Sequence, residues 1–365
     1  MENICILQWD EEKFLRSKDE WNELLSRSNA DALFLSWEWQ ATWWKVFSDP
    51  ENMTLHIFAA TASDGKLIGL APLYSSTVTT KKIKTNRLQF IGNCWRGKAT
   101  MLTELLDFIV DKSNSKNITR DLCVDIFSQE HWDEFILPYL SLQSETYQSL
   151  IENKLYSKCY FRHAEKYNSY YLNTQGEFKK YTENLGKNTR LKLINRRALF
   201  EKLGNTTYER MLSDNIDDKF DLLNNLHSKR WTKPVFDGDR LLFNSTIAKL
   251  MAKKNCLNFS TLSIDNEPVS IQYNYVVNQH NYNIQAGFDE EFHNKISLGY
   301  LHFGYEIEAS FHEKINVYDF LAGEGKNTQY KERLTNSYLG MVDLQIIRNP
   351  ILKTLYRLYD FFKYK

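Results

Sequence analysis

The sequence is poor in residues that staple, break or embed a chain. Its 365 residues include five cysteines (Cys5, Cys94, Cys123, Cys159 and Cys256), an odd number without a C-x-x-C pair. That argues against a disulfide framework and against a zinc site built on such pairs, and favours reduced thiols. Six prolines against 22 Phe and 21 Tyr describe an ordered globular chain rather than a linker-rich one. No apolar run approaches the roughly 20 residues of a membrane span, and the first ten residues lack a basic leader with an apolar core. Charge of one sign is missing too: 46 basic and 46 acidic residues cancel, so no global field selects nucleic acid or a membrane surface. The expectation is a soluble cytoplasmic protein without stable membrane insertion. Nor is there a G-x-S-x-G elbow or a Walker loop, and no metal is expected, because His56, His131, His163, His280, His293, His302 and His312 show no ligand spacing.

What is present is a succession of elements that occurs twice. In the first half Ser36 caps a helix opening at Trp37, with Glu38 in its first turn and Trp37, Trp39, Trp43 and Trp44 along it. Strands over 54–61 and 67–76 flank an Asp64-Gly65 turn, a hairpin signal. A strand over 88–92, a helix over 99–110, a strand over 122–127 and a helix over 129–142 complete this half. In the second half a helix over 217–231 precedes strands over 258–264, 269–277 and 282–288. Ile296, Tyr300, Phe303, Ile307 and Phe311 then share one helical face, and strands follow over 316–321 and 338–347.

The pattern predicts an α/β protein with a mixed (α+β) sheet, duplicated as modules at 1–170 and 171–347, with an amphipathic C-terminal helix over 348–365. Ile351, Leu355, Leu358, Phe361 and Phe362 read as the docking side of that helix, with a membrane-surface contact as the secondary reading. Residues 178–203 read as a long basic helix broken near Gly186. Most of its cations form a solvated face; Arg190 and Arg196 are the candidates to face an anion.

The densest chemistry lies at Tyr318-Asp319-Phe320-Leu321-Ala322-Gly323, followed after a polar loop by Tyr330, Lys331 and Arg333. A strand ending in a glycine loop holds reactive groups at a sheet edge. The matching place in the first half reads as Asp125-Ile126-Phe127 running into Ser128-Gln129-Glu130-His131, with no counterpart to Tyr330. The first module is therefore expected to be degenerate and non-catalytic. His227, beside Leu222, Leu223 and Leu226, is open to two readings: a hydrogen-bonded packing residue or a base.

In their order along the chain these segments resemble the GNAT superfamily, in its double-domain branch of CelD-type acyltransferases and FemAB peptidyltransferases. The resemblance is carried by Phe34-Leu35-Ser36-Trp37-Glu38-Trp39, Gly69-Leu70-Ala71-Pro72-Leu73-Tyr74 and Leu226-His227-Ser228-Lys229-Arg230-Trp231. Ala286-Gly287-Phe288-Asp289 and the Tyr318-to-Lys331 segment complete it. It implies acyl transfer from acetyl-CoA or another acyl-CoA to an amine, here an amino sugar or nucleotide-sugar of a surface polysaccharide. The alternatives are a FemAB-like transferase using aminoacyl-tRNA, along the basic segment, and a non-catalytic binding protein of the same fold.

By the same resemblance the thioester arm lies where the strand of Gln285, Ala286, Gly287 and Phe288 splays from its neighbour. The pyrophosphate lies on the amides of Lys295, Ile296, Ser297, Leu298 and Gly299, where a helix begins. The segment departs from the common GNAT phosphate loop in lacking closely spaced glycines. Acyl transfer needs a deprotonated amine, a polarised carbonyl and a protonated leaving thiolate. The resemblance makes Tyr330 the general acid, while Asp319 orients or deprotonates the amine, or is structural. His227 is the third catalytic candidate, and Arg230, Trp231, Lys326, Lys331 and Trp37 are candidates to contact the acceptor.

Overall fold

The computed structural model describes residues 4–80, 83–152, 158–211, 215–323 and 329–363. It divides into two compact units, Met1–Tyr167 with Gly340–Lys365, and Asn168–Leu339. The first break falls between Tyr167 and Asn168, and Gly340–Lys365 counts with the first unit.

The first unit opens with β1 (Cys5–Trp9), α1 (Glu11–Arg16), α2 (Lys18–Ser26) and α3 (Trp37–Phe47). Ser36 Oγ accepts from the Trp39 amide at 3.3 Å and fixes the start of α3, while Trp39 and Trp43 are fully buried. Next come β2 (Met53–Thr61), β3 (Leu67–Thr80), β4 (Ile83–Phe90), the short β5 (Ile109–Val110), α4 (Ser115–Ser128), β6 (Glu134–Ser141) and α5 (Glu145–Glu152). β7 (Tyr160–Asn173) passes from the first unit into the second.

Three expectations for this half are corrected. Residues 99–110 form no helix: Asn93 bonds both backbone groups of Thr103, at 2.8 and 3.2 Å, and Leu105 has φ +55°. Residues 122–127 lie inside α4, whose buried Ile118, Leu122, Cys123 and Ile126 have helical spacing. The expected helix over 129–142 is the strand β6, in which Pro138 and Tyr139 occupy a bulge against the last strand.

The second unit contains α6 (Phe178–Asn184), α7 (Lys187–Arg190), a π-helical turn over Leu191–Asn195, α8 (Arg197–Phe200), β8 (Thr206–Met211), α9 (Ile216–Trp231) and α10 (Gly238–Ala252). The basic helix is thus broken at Gly186, where the sequence placed the break. Then follow β9 (Leu257–Ile264), β10 (Glu267–Val277), β11 (His280–Phe288), α11 (Leu298–His312), β12 (Val317–Leu321) and α12 (Gln329–Glu332). Strand order here is β7-β12-β11-β10-β9-β8.

The chain finishes with β13 (Tyr338–Ile347), antiparallel to β6, and α13 (Pro350–Lys363). The first unit's order is β1-β2-β3-β4-β6-β13-β7. Asp360 ties α13 to Arg162 of β7 at 2.7 Å. The expected docking residues of α13 point outward: Ile351, Leu355, Leu358, Phe361 and Phe362 are exposed, and only Leu352 is buried.

The duplication holds at the level of topology. Each unit has consecutive antiparallel strands, a helix, and a strand that pairs in parallel: β4 with β6, and β11 with β12. A parallel pair needs such a crossover, here α4 and α11.

Candidate active site

The β11–β12 ladder is short. It runs only through His280–Val317, Asn281–Tyr318 and Tyr282–Asp319, although β11 continues to Phe288 and β12 to Leu321. Beyond Tyr282 the two strands part, and Ile284, Gln285 and Ala286 become partly exposed. The gap is flanked by the start of α11, where Ser297 makes no side-chain cap and the first-turn amides have no intrahelical acceptor. Close approach is built in: a Cβ on Gly299 would stand 2.9 Å from the Phe288 ring. Ile296 and Leu298 are buried in the core with Leu301 and Phe200, so only their backbone is available to a ligand.

At the end of β12 the chain turns sharply. Leu321 has φ +57°, a costly conformation for a residue with a Cβ. Two side chains hold it: Asp319 Oδ1 accepts from the Leu321 amide at 2.7 Å, and Lys331 Nζ donates to Leu321 O at 2.7 Å and Ala322 O at 2.8 Å. Both are buried, with 5% and 4% exposure. The other Asp319 oxygen, Oδ2, meets His280 Nε2 at 3.0 Å, and the His280 ring stacks on Tyr282 with centroids 4.0 Å apart.

Side chains alternate along a strand. Tyr318 and Phe320 pack on Phe303 of α11, so Asp319 lies on the opposite face. Tyr330, from α12, joins the α11 side: its ring stacks on Phe303 at 5.8 Å and stands edge-on to Tyr300 at 6.5 Å. Desolvation, with Tyr300 adding to it, pushes the Tyr330 pKa up to about 12, so the phenol stays protonated at neutral pH. Tyr330 and Asp319 therefore flank β12 from its two faces rather than touching.

A cavity of about 490 Å³ adjoins Tyr300. Lys187, Asn188 and Thr189 of α7, Lys192 of the π turn and Arg333 after α12 line it. Arg190 and Arg196, the cations singled out from the sequence, are not among its lining residues.

The remaining expected residues are spread. His227 Nδ1 donates to the Lys233 carbonyl at 2.9 Å, at the end of α9. Arg230 lies over Trp231 and Phe288, at 4.7 and 5.2 Å, and pairs with Glu290 at 2.6 Å. Gly287 packs against α9, since a Cβ there would stand 3.0 Å from Leu223 O. Lys295 is exposed. Trp37, in the first unit, donates its indole N–H to Phe14 O at 2.9 Å. Lys326 lies outside the described residues. His280 and the pair Lys187 and Lys192 were not singled out by the sequence reading. Strand pairing makes His280 a neighbour of Asp319, which linear spacing hides.

Among the described residues no group of three or more His, Cys, Asp or Glu is arranged to hold a metal, and no helix is long and apolar enough to cross a membrane.

Residues 187–332 match the family model described as the acetyltransferase (GNAT) domain. Among solved structures, FemX is similar at 12% identity and TM-score 0.60, over 93% of this chain and 98% of that one. The C-terminal domain of a putative lysylphosphatidylglycerol synthetase from Agrobacterium fabrum is similar at 8% identity and TM-score 0.55, over 94% and 95%. A conserved protein of unknown function from Bacteroides thetaiotaomicron shares 12% identity and a TM-score of 0.52, over 94% and 100%. At these identities the likeness is one of fold. No curated protein matches the sequence.

Proposed function

We propose, for a chain that carries a GNAT acetyltransferase domain within a tandem GNAT-like fold, that it is an acyl-CoA-dependent N-acyltransferase. The acceptor in this reading is an amino sugar, nucleotide-linked forms included, made in the bacterial cytoplasm for a surface polysaccharide. The observation that carries it is the three-pair β11–β12 ladder opening beside the α11 start. A gap between strands exposes backbone to an extended thioester arm, and a helix start attracts the diphosphate behind it. The residues present fit such a donor through their backbone, at Gln285, Ala286, Ser297 and Gly299.

A thioester lying in that gap is open on both faces of β12. On one face Asp319 orients His280, which takes the proton of the attacking amine. On the other Tyr330 gives its proton to the departing thiolate. Lys331 and Asp319 together hold the Leu321 turn that sets this geometry. Arg230 and Trp231 border the acceptor side, while His227 fixes the end of α9. The first unit is the non-catalytic one: at its corresponding ladder pair, Gln89–Ile136, an apolar residue stands where Asp319 stands in the second.

The test is incubation with acetyl-CoA and a panel of free and nucleotide-linked amino sugars, read by mass spectrometry. His280→Gln should lower turnover by about 100-fold or more with CoA binding retained. No mass gain across the panel, together with no CoA-induced thermal shift, would overturn the reading.

A further inference from the structure

We propose that the cavity between α7, the π turn and the first turn of α11 binds the diphosphate group of a substrate. Its volume, about 490 Å³, lies in the usual range of small-ligand sites, roughly 300–1,000 Å³. Its described lining carries three cations, Lys187, Lys192 and Arg333, and no carboxylate. Of the other basic residues in this stretch, Arg197 pairs with Glu308 and Lys180 with Glu177. Among the described residues Lys187, Lys192 and Arg333 have no acidic partner. Like charges gathered around one cavity repel unless an anion enters, so the arrangement favours a multiply charged guest. Asn188 and Thr189 add neutral polar groups, which complete the hydrogen bonding of phosphate oxygens.

The cations stand on rigid supports. The π turn is anchored by Leu193, fully buried, whose carbonyl lies so close to Gly304 of α11 that a Cβ there would be 2.1 Å away. Wide π turns of this kind occur often at functional sites. Lys192 Nζ lies 5.4 Å over the Tyr300 ring, and Tyr300 in turn borders Tyr330. Arg333 follows directly on α12 and is held between Lys331 and the buried Leu334. A diphosphate in this cavity is therefore tied to the residues that meet the reacting group.

The acyltransferase reading enters only in naming the diphosphate's owner, since coenzyme A and a nucleotide-linked sugar both carry one. Calorimetric titrations of the full chain with inorganic pyrophosphate, coenzyme A and a uridine-diphosphate amino sugar separate these sources. Wild type should bind pyrophosphate with a Kd below about 1 mM at low salt. Lys192→Glu and Arg333→Glu should each weaken it by about tenfold or more, as expected for charge-assisted phosphate contacts. Both side chains are exposed, so melting temperatures should stay unchanged. Lys180→Glu, outside the cavity, should leave binding as it is. Parallel weakening of coenzyme A assigns the site to the donor; weakening of the sugar nucleotide assigns it to the acceptor. Undetectable pyrophosphate binding, or equal weakening by Lys180→Glu, overturns the proposal. A chain that binds pyrophosphate here yet transfers no acyl group keeps the site and loses the acyltransferase reading.

Discussion

Replacing Tyr330 by Phe removes one hydroxyl and leaves the ring on its supports. The ring contacts with Phe303 and Tyr300 do not involve the oxygen, and the hydroxyl makes no hydrogen bond to a described residue. Stability should therefore change by less than about 0.5 kcal/mol, the usual range for a substitution that breaks no buried contact. The chemical loss should be far larger. With its pKa pushed up to about 12, the phenol is a proton donor throughout the neutral range. Removing a positioned general acid costs about 100-fold or more in turnover, or about 2.7 kcal/mol of barrier. The assay is thiol release from acetyl-CoA with the acceptor found by mass spectrometry, beside a thermal melt and a coenzyme A titration. Wild-type melting and coenzyme A affinity with a collapse in turnover is the expected result. Turnover within about threefold of wild type would refute Tyr330 as the acid.

Three further outcomes follow from the packing. Gly304→Ala should destabilise the fold by about 1–3 kcal/mol in urea, because its Cβ would meet Leu193 O at 2.1 Å. Lys331→Met should cost about 2–3 kcal/mol in the same assay, leaving the Leu321 and Ala322 carbonyls without their charged donor. His302, buried between Ser260 Oγ at 2.9 Å and Ser270 Oγ at 2.7 Å, has its pKa pushed down to about 3 by desolvation. A depressed folded value means that the unfolded chain binds more protons between pH 6.5 and 3, so this stabilisation is complete above 6.5 and fades as pH falls. The fade amounts to about 2 kcal/mol by pH 5. His302→Gln should remove that share of the difference in urea stability between pH 7 and pH 5.

The second half was the more legible because its signals are local and agree. Tyr300, Phe303, Ile307 and Phe311 do lie on α11, with Ile296 just before its start, and the strand carrying Asp319 runs over Val317–Leu321, within the expected 316–321. In the first half, Leu122 to Phe127 was ambiguous as a short apolar run, and only the wider window with Ile118 reveals the helix. That misreading displaced the next element and put Asp125, rather than Ile136, opposite Asp319. Pro138 hid β6 because a proline argues against a strand unless a bulge accommodates it. Residues 99–110 took their shape from Asn93, a tertiary contact that no local pattern encodes. The reactive segment was legible as a cluster of residue types. Its division between two faces of β12, and the neighbour His280, depend on strand register and were not.

The central claim is that an acyl-CoA lies in the gap between β11 and β12 with its diphosphate arm toward α11. Hydrogen–deuterium exchange with and without coenzyme A measures this directly, amide by amide. Slowed exchange at Ile284, Gln285 and Ala286 and over the first turn of α11, with the first unit unchanged, is the predicted result. Protection confined to the first unit, or none at saturating coenzyme A, would contradict it.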